Sequence, residues 1–373
     1  MIWIWLITVA VALFIASALY LAWYLRWENA HTRGMAYYGQ PLTARRTLKR
    51  QMRRYARPAL PLVYLVALMN RKRSMMPVFE YEGVCGPTKV SSPEVFARAK
   101  QYRPQPEDVF VVTQMRCGTT WMQQIVYQIV TRGRGDFGED GQGHMYAMSP
   151  WIDAVDSVSI EDAPLVGDMP TRIIKCHLPT ELCPYSEQAK YIYVARHPVS
   201  CFASIVDFNR SMLGPLLPPV ATLASWFCSD RMYWLPWPRH VDGWWEWAER
   251  RDNVLFVHFE EMKSNFVAVC DRVAAFLGCS LSADEKRRVE ERSSFQYMKN
   301  REEMFEMAPP TMFSVARGVF MASGKASRHE DVTAAIRLRI VDYCQQALSG
   351  REYPARRFYP DLVTPPTSSS PLT

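Results

Sequence analysis

The chain has 373 residues, 49% of them apolar and 13% aromatic, enough for a large core in one sizeable domain with extensions, or two small ones. Its formal net charge of +7 is unevenly placed, so position matters more than the total. Nine cysteines, an odd number without a C-x-x-C pair, argue against a disulfide-stapled or zinc-ribbon scaffold and fit a reducing compartment.

Ile2 to Leu25 is a run of 24 uncharged residues broken only by Thr8 and Ser17. At about 1.5 Å per residue it reaches roughly 36 Å, enough to cross a bilayer with some tilt. A signal peptide would want a basic n-region and a small-residue cleavage site, and neither is evident. Trp23, Tyr24 and Trp27 stand where an aromatic belt belongs. Residues 1–27 are therefore expected to be a single-pass membrane anchor.

Residues 28–77 read as a basic juxtamembrane segment. Nine Lys and Arg lie between Arg26 and Arg57, opposed only by Glu28. That bias places the following domain on the cytoplasmic side. The arm is either a solvated flexible stalk or a segment drawn to anionic lipid, which makes membrane lipid an expected partner. Leu60 to Met69 is apolar but too short to span, and suits an interfacial or packed helix.

From residue 78 to about 355 the pattern alternates strands with helices. The buried strands are 109–113, 172–176 (RIIKC), 190–195 (KYIYVA) and 254–259 (VLFVHF). This order predicts an α/β fold, three layers with a central parallel sheet. Ligands of such sheets bind beyond the carboxyl ends of the strands. Each strand delivers chemistry there: Arg116 after the first, Lys175 and His177 at the second, Arg196 after the third, and Phe259 with Glu260 and Glu261 at the fourth. Three cations and a histidine on one edge suit a polyanion. The end, Pro360 to Thr373, is rich in Pro, Ser and Thr, and residues 356–373 are expected to be a disordered tail.

The densest signal is VFVVTQMRCGTTW at 109–121. Five strand formers run into a loop with one glycine, and Trp121, Met122, Ile125, Val126, Ile129 and Val130 follow at helical spacing. A strand that delivers a loop onto a helix N-terminus aims free backbone N–H groups at one spot, a P-loop-like anion site. Thr119 and Thr120 add hydroxyls and Arg116 a fixed charge. The nucleoside-triphosphate form, G-x-x-x-x-G-K-[ST], is missing.

Gln114 to Trp121 resembles instead the 5′-phosphosulfate loop of the sulfotransferases, usually YPKSGTTW. The GTTW half matches, while Arg116 replaces the lysine and Cys117 the serine. Lys175-Cys176-His177 resembles the family's K-T-H, which implies that His177 is the catalytic base and that Lys175 stabilises charge on the bridging oxygen. Arg196 and Ser204, eight residues apart, resemble the reader of the donor's 3′-phosphate, with Pro198 opening the helix between them. NVLFVHFEEMKSN resembles the strand ending in Y-E-D-M, with Phe259 for tyrosine. Ser293-Ser294-Phe295 through Met298 resembles T-S-F-x-x-M beside the adenine, and Arg317-Gly318 resembles R-K-G on the 3′-phosphate. Gly324-Lys325-Ala326-Ser327 departs from G-D-W-K, and the family's dimerisation motif is not recognisable, which leaves the oligomeric state open.

The resemblance covers about residues 78–350. It implies a sulfotransferase of the histidine-dependent, cytosolic type, moving a sulfuryl group from 3′-phosphoadenosine 5′-phosphosulfate (PAPS) to a hydroxyl or amine by in-line displacement. PAPS is then the co-substrate, with no metal and no nucleic acid partner. Cys117, Gly118, Thr119 and Thr120 would cradle the donor, Trp121 and Phe259 would flank or sandwich its adenine, and Arg116, Lys175 and His177 would carry the chemistry. Arg116 is expected to limit the rate, because arginine cannot release a proton as lysine can, unless Lys175 takes that part or the loop has adapted to the planar guanidinium. Segments 145–156 (with Met148, Pro150 and Trp151), 209–240 and 300–316 should line the acceptor pocket, Trp151 and His177 touching the acceptor. Their aromatic, Met and Pro content suggests a small apolar or lipid-like acceptor. An insertion is expected at CSDRMYWLPWP, 228–238. One rival reading is a non-catalytic anchored adaptor that kept the nucleotide pocket. A small-molecule kinase is disfavoured by the missing G-K-[ST].

Overall fold

The computed structural model describes residues 1–70, 75–137, 141–314 and 328–362. Helix α1 spans Ile2–Thr32 and is long and apolar enough to cross a membrane, and its most apolar stretch has no buried residue. It continues past the expected boundary at residue 27, and only Tyr24 and Thr32 are buried.

The basic segment is not a stalk. After the short α2 (Met35–Tyr38), α3 (Leu42–Ala56) buries Arg45, Leu48, Lys49, Met52 and Ala56, which share one helical face. Tyr37, Tyr38, Leu48 and Met52 form a small core with Tyr146 and Met307. Two cations can be buried there because they are paired. Arg45 donates to the carbonyls of Gln142 and Gly143 at 3.1 and 2.8 Å, and Lys49 pairs with Glu306. The folded body thus begins near Gly34, well before residue 78. Helix α4 (Leu60–Asn70) packs one face, burying Leu62, Val63 and Ala67, and leaves Tyr64, Leu65, Leu68 and Met69 exposed on the other.

A small antiparallel hairpin, β1 (Val78–Tyr81) and β2 (Val84–Pro87), precedes α5 (Pro93–Gln101), which Ser92 caps by accepting from the Val95 N–H. The main sheet follows: β3 (Asp108–Thr113), α6 (Thr119–Val130), β4 (Arg172–Cys176), β5 (Lys190–Ala195), α7 (Pro198–Leu213), α8 (Val220–Phe227), α9 (Trp237–Arg250) and β6 (Val254–His258). All pairings are parallel and the order is β4-β3-β5-β6. Beyond it lie α10 (Phe259–Ser264), α11 (Phe266–Leu277), α12 (Ala283–Arg292), α13 (Phe295–Asn300), α14 (Ala334–Leu348) and α15 (Ala355–Phe358). The fourth strand ends one residue early, since Phe259 opens α10.

Period-two alternation gives the sheet two apolar faces. Phe110, Val112, Ile174, Tyr191 and Tyr193 meet α7, α9 and α14 on one side. Val109, Val111, Ile173, Ile192 and Val194 meet α6, α11 and α12 on the other. This is the three-layer α/β fold expected. The register sets Val112 beside Cys176, Thr113 beside Val194 and Ala195 beside His258, so the four strands end together. Residues 356–362, which the sequence placed in the tail, are packed against the domain. Tyr359 and Leu362 are buried, and the Tyr359 hydroxyl donates to Glu260 at 2.9 Å, because this stretch supplies aromatic cover for one end of the sheet.

Candidate active site

The loop after β3 turns on two left-handed residues, Arg116 (φ 64°) and Gly118 (φ 110°). At Gly118 a Cβ would stand 2.8 Å from the Phe259 ring, so glycine is required both by its backbone angle and by close approach. Gly118 leads into α6, whose first-turn N–H groups have no partner within the helix. Thr119 and Thr120 sit in that turn, with Thr119 Oγ1 2.6 Å from Thr113 Oγ1 and Thr120 Oγ1 3.3 Å from the Tyr146 hydroxyl. Cys117 is buried, its Sγ 3.7 Å from Cys201 Sγ.

His177 follows β4 directly. Its Nδ1 lies 2.7 Å from the Thr113 carbonyl, which can only accept, so Nδ1 carries the proton and Nε2 presents a lone pair. Nε2 is buried and has no protein hydrogen-bond partner among the described residues. Its backbone N–H donates to Asp153 at 2.9 Å, and its carbonyl accepts from His240 Nε2 at 2.9 Å, a tautomer supported by the Tyr193 hydroxyl 2.8 Å from His240 Nδ1. Burial, then the nearby Lys175 charge, push the His177 pKa well below the usual imidazole range. The ring is therefore neutral at neutral pH.

Lys175 is fully buried, its Nζ 3.3 Å from the centroid of Trp151 and 4.9 Å from that of Tyr146. Desolvation holds it well below the ordinary ammonium range, and the same burial raises Asp153 above the ordinary carboxyl range. Two cations meet on the other side of the loop. Arg196 Nη1 donates to the Arg116 carbonyl at 3.1 Å, and its guanidinium stands 4.3 Å over the Phe259 ring. Arg116 Nε donates to Ser204 at 3.1 Å, its Nη1 meets Met307 Sδ at 2.9 Å, and Phe208 lies 5.0 Å below it. Burial first and Arg196 second lower its pKa to about 10. It remains charged.

Trp121 and Phe259 do not form a sandwich. They meet edge-on, 5.6 Å apart at 72°, because Trp121 is already stacked on Phe266 at 5.7 Å and 8°. The Trp121 indole N–H donates to the carbonyl of Ser293 at 2.8 Å. Met298 is core beside them. Arg317 and Gly318 lie outside the described residues.

Trp151 lies beside His177, with ring centroids 5.4 Å apart. Trp234, which no sequence motif marks, lies closer, at 4.8 Å. The segment 228–238 puts it there through two left-handed residues, Trp234 (φ 56°) and Leu235 (φ 72°). Gln114 Nε2 holds this turn by donating to the carbonyls of Tyr233 and Leu235 at 2.9 and 2.7 Å. Asp153 and His240 were also missed; each acts on the backbone of His177, a contact without a sequence motif. His177 forms part of the wall of a cavity of about 320 Å³, lined mainly by apolar side chains such as Met115, Phe208, Met212, Trp234 and Met307.

The arrangement is an α/β protein whose sheet edge joins an anion loop, two arginines, a buried lysine and a neutral histidine. The Sulfotransferase domain model matches residues 106–352. The chain therefore belongs to the sulfotransferase family and is a transferase. It is 27% identical over 255 residues to Cytosolic sulfotransferase 1 of Danio rerio, covering 66% of this chain and 84% of that protein. Over 229 residues it is 29% identical to Sulfotransferase 1C2 of Oryctolagus cuniculus, covering 59% and 75%. Among solved structures, mouse sulfotransferase SULT7A1 complexed with PAP aligns with a TM-score of 0.56 at 22% identity, over 73% of this chain and 94% of that one. Retinol dehydratase in complex with androsterone and PAP aligns with a TM-score of 0.58 at 19% identity, over 78% and 96%.

Proposed function

We propose that this protein moves a sulfuryl group from PAPS to the hydroxyl, or amine, of an apolar small-molecule or lipid-like acceptor, from a single-pass anchor with the catalytic domain on the cytoplasmic side. The observation that carries the reading is His177 Nε2, a lone pair in the wall of an apolar cavity beside the anion loop. The family supports sulfuryl transfer, and the related folds solved with PAP, one with androsterone and one with retinol, support the choice of donor and of an apolar acceptor.

In this reading the first turn of α6, with Thr119 and Thr120, receives the 5′-phosphosulfate. Arg196 and Ser204 take the 3′-phosphate, while Trp121, Phe259, Ser293 and Met298 surround the base. Ser293 suits this role because its hydroxyl is buried without a hydrogen-bond partner among the described residues. The acceptor hydroxyl loses its proton to His177 Nε2 as its oxygen attacks sulfur, and the sulfur–oxygen bond to the phosphate breaks. Lys175 and Arg116 stabilise the charge that develops as the bisphosphate leaves. The Thr113 carbonyl holds the His177 ring in the tautomer that the step requires.

The test is turnover of the purified protein with PAPS against ATP, using a panel of phenols, sterols and long-chain alcohols. Sulfated product from PAPS alone is expected. Tight binding of PAP with no product from any acceptor would support the non-catalytic adaptor instead.

A further inference from the structure

The acceptor cavity is not enclosed by the catalytic domain alone. Glu28, Asn29, Thr32 and Arg33, on and just past the last turn of α1, form part of its wall. His177 is buried, whereas Asn29, Arg33, Met75 and Leu216 are exposed lining residues, which puts the mouth of the cavity at the end of α1. Asn29 follows Trp23 by six residues, only about 9 Å along the helix.

Three further features fix the level of that mouth. Tyr20, Trp23 and Trp27 gather around Tyr55 of α3, with Trp23 and Trp27 5.9 and 5.0 Å from it, and the Tyr20 hydroxyl donates to the Tyr55 carbonyl at 2.9 Å. Aromatic rings with polar tips at the end of an apolar helix sit at a membrane–water boundary. Arg50, Arg53, Arg54 and Arg57 are exposed immediately before α4, where anionic headgroups would meet them. Helix α4 packs against α1 and against the turn Gly214–Leu216 at the cavity mouth. Its other face leaves Tyr64, Leu65, Leu68 and Met69 exposed, the last two by 72% and 74%. Eleven residues, about 16 Å, cannot span a bilayer but can lie in its surface.

We propose that α1 and α4 seat the mouth of the acceptor cavity in the headgroup layer, so that the acceptor is a bilayer-resident amphiphile entering hydroxyl first. An amphiphile carries its hydroxyl at that level, and its hydrocarbon body would follow into the apolar cavity without crossing water. This rests on the preceding reading of the cavity as the acceptor site and of α1 as a membrane span.

The full chain is reconstituted in phosphatidylcholine–phosphatidylserine vesicles and given labelled PAPS with three acceptors. Two reside in the bilayer, cholesterol and hexadecan-1-ol; the third is a small water-soluble phenol. A variant with Leu65→Glu, Leu68→Glu and Met69→Glu changes only exposed residues away from the cavity. Its turnover of the bilayer acceptor should fall by about tenfold or more, since three carboxylates remove the apolar face that seats the mouth. Phenol turnover and PAP binding should stay unchanged, which also shows that the variant is folded. Equal losses on both kinds of acceptor, or no loss on either, overturn the proposal. Wild-type turnover of the phenol alone overturns it too, leaving sulfuryl transfer standing. Absence of turnover on all three would take down the transfer reading and this proposal with it.

Discussion

At His177 the decisive contact is with a backbone carbonyl rather than with a carboxylate. The Thr113 oxygen fixes the tautomer, and burial keeps the ring neutral. His177→Ala should lower turnover by about 10² to 10⁴ with donor affinity nearly intact. Because the histidine pKa is depressed, protonation of the base requires a pH below the usual imidazole value. The acid limb of kcat/KM should therefore lie below pH ~6.5. Lys175 is depressed as well, so its charge is lost on the alkaline side earlier than for an ordinary lysine; Lys175→Arg should move that limb upward. An unchanged alkaline limb in the variant would assign it to another group. Arg116 invites a second test. The sequence leaves it as either a handicap or a residue to which the loop has adapted, and its guanidinium meets Ser204, Met307 and Phe208 together. An ammonium cannot keep all three contacts, so we expect Arg116→Lys to lower turnover at saturating donor by about tenfold. Equal or faster turnover would restore the view that arginine limits the rate.

The elements that build the site are loops held at both ends. Gln114, in place of an aromatic residue of the family loop, is buried and spends its amide on the Tyr233 and Leu235 carbonyls. That fixes the left-handed turn carrying Trp234 against His177. Gln114→Ala would leave two buried carbonyls without donors, a loss of about 1–3 kcal/mol. Thermal unfolding should show a lower midpoint, and the acceptor KM should rise more than the donor KM. If both constants rise equally, the turn does not belong to the acceptor side. The α7 entry makes a different prediction. Arg196→Ala should weaken binding of the 3′,5′-bisphosphate far more than that of an analogue without the 3′-phosphate. A charge-assisted hydrogen bond of roughly 1.5–3 kcal/mol corresponds to about 10- to 200-fold in affinity. Calorimetry with both ligands checks it, and equal losses would remove Arg196 from that role.

For the whole molecule, the join between α1 and the catalytic body matters most. Helix α3 ties the N-terminal segment to the 300s loop through Arg46–Glu303 at 2.8 Å and the Lys49–Glu306 pair, and Met307 of that loop touches Arg116. The body is thus held at a set distance from α1 rather than tethered by a stalk. The basic residues that follow the apolar span predict a cytoplasmic body. In sealed membranes, protease added from the cytoplasmic side should cut the domain beyond residue 80. A domain that survives until detergent is added would mean the opposite orientation.

The parallel α/β class, the four strands and the candidate group Arg116, Lys175, His177, Arg196 and Ser204 were legible in the chain. Each of these depends on local pattern: strand runs, a glycine that the backbone requires, and residues at strand ends that a parallel sheet gathers on one edge. The rest depends on packing. Nothing in a run of arginines shows that Arg45 and Lys49 are buried, because their burial depends on carbonyls and carboxylates distant in sequence. Nor could spacing show that Trp121 already stacks on Phe266, that Asp153 and His240 hold the backbone of His177, or that the end of α1 walls the cavity beside His177. These are contacts between segments far apart in the chain, and a local pattern carries no record of them.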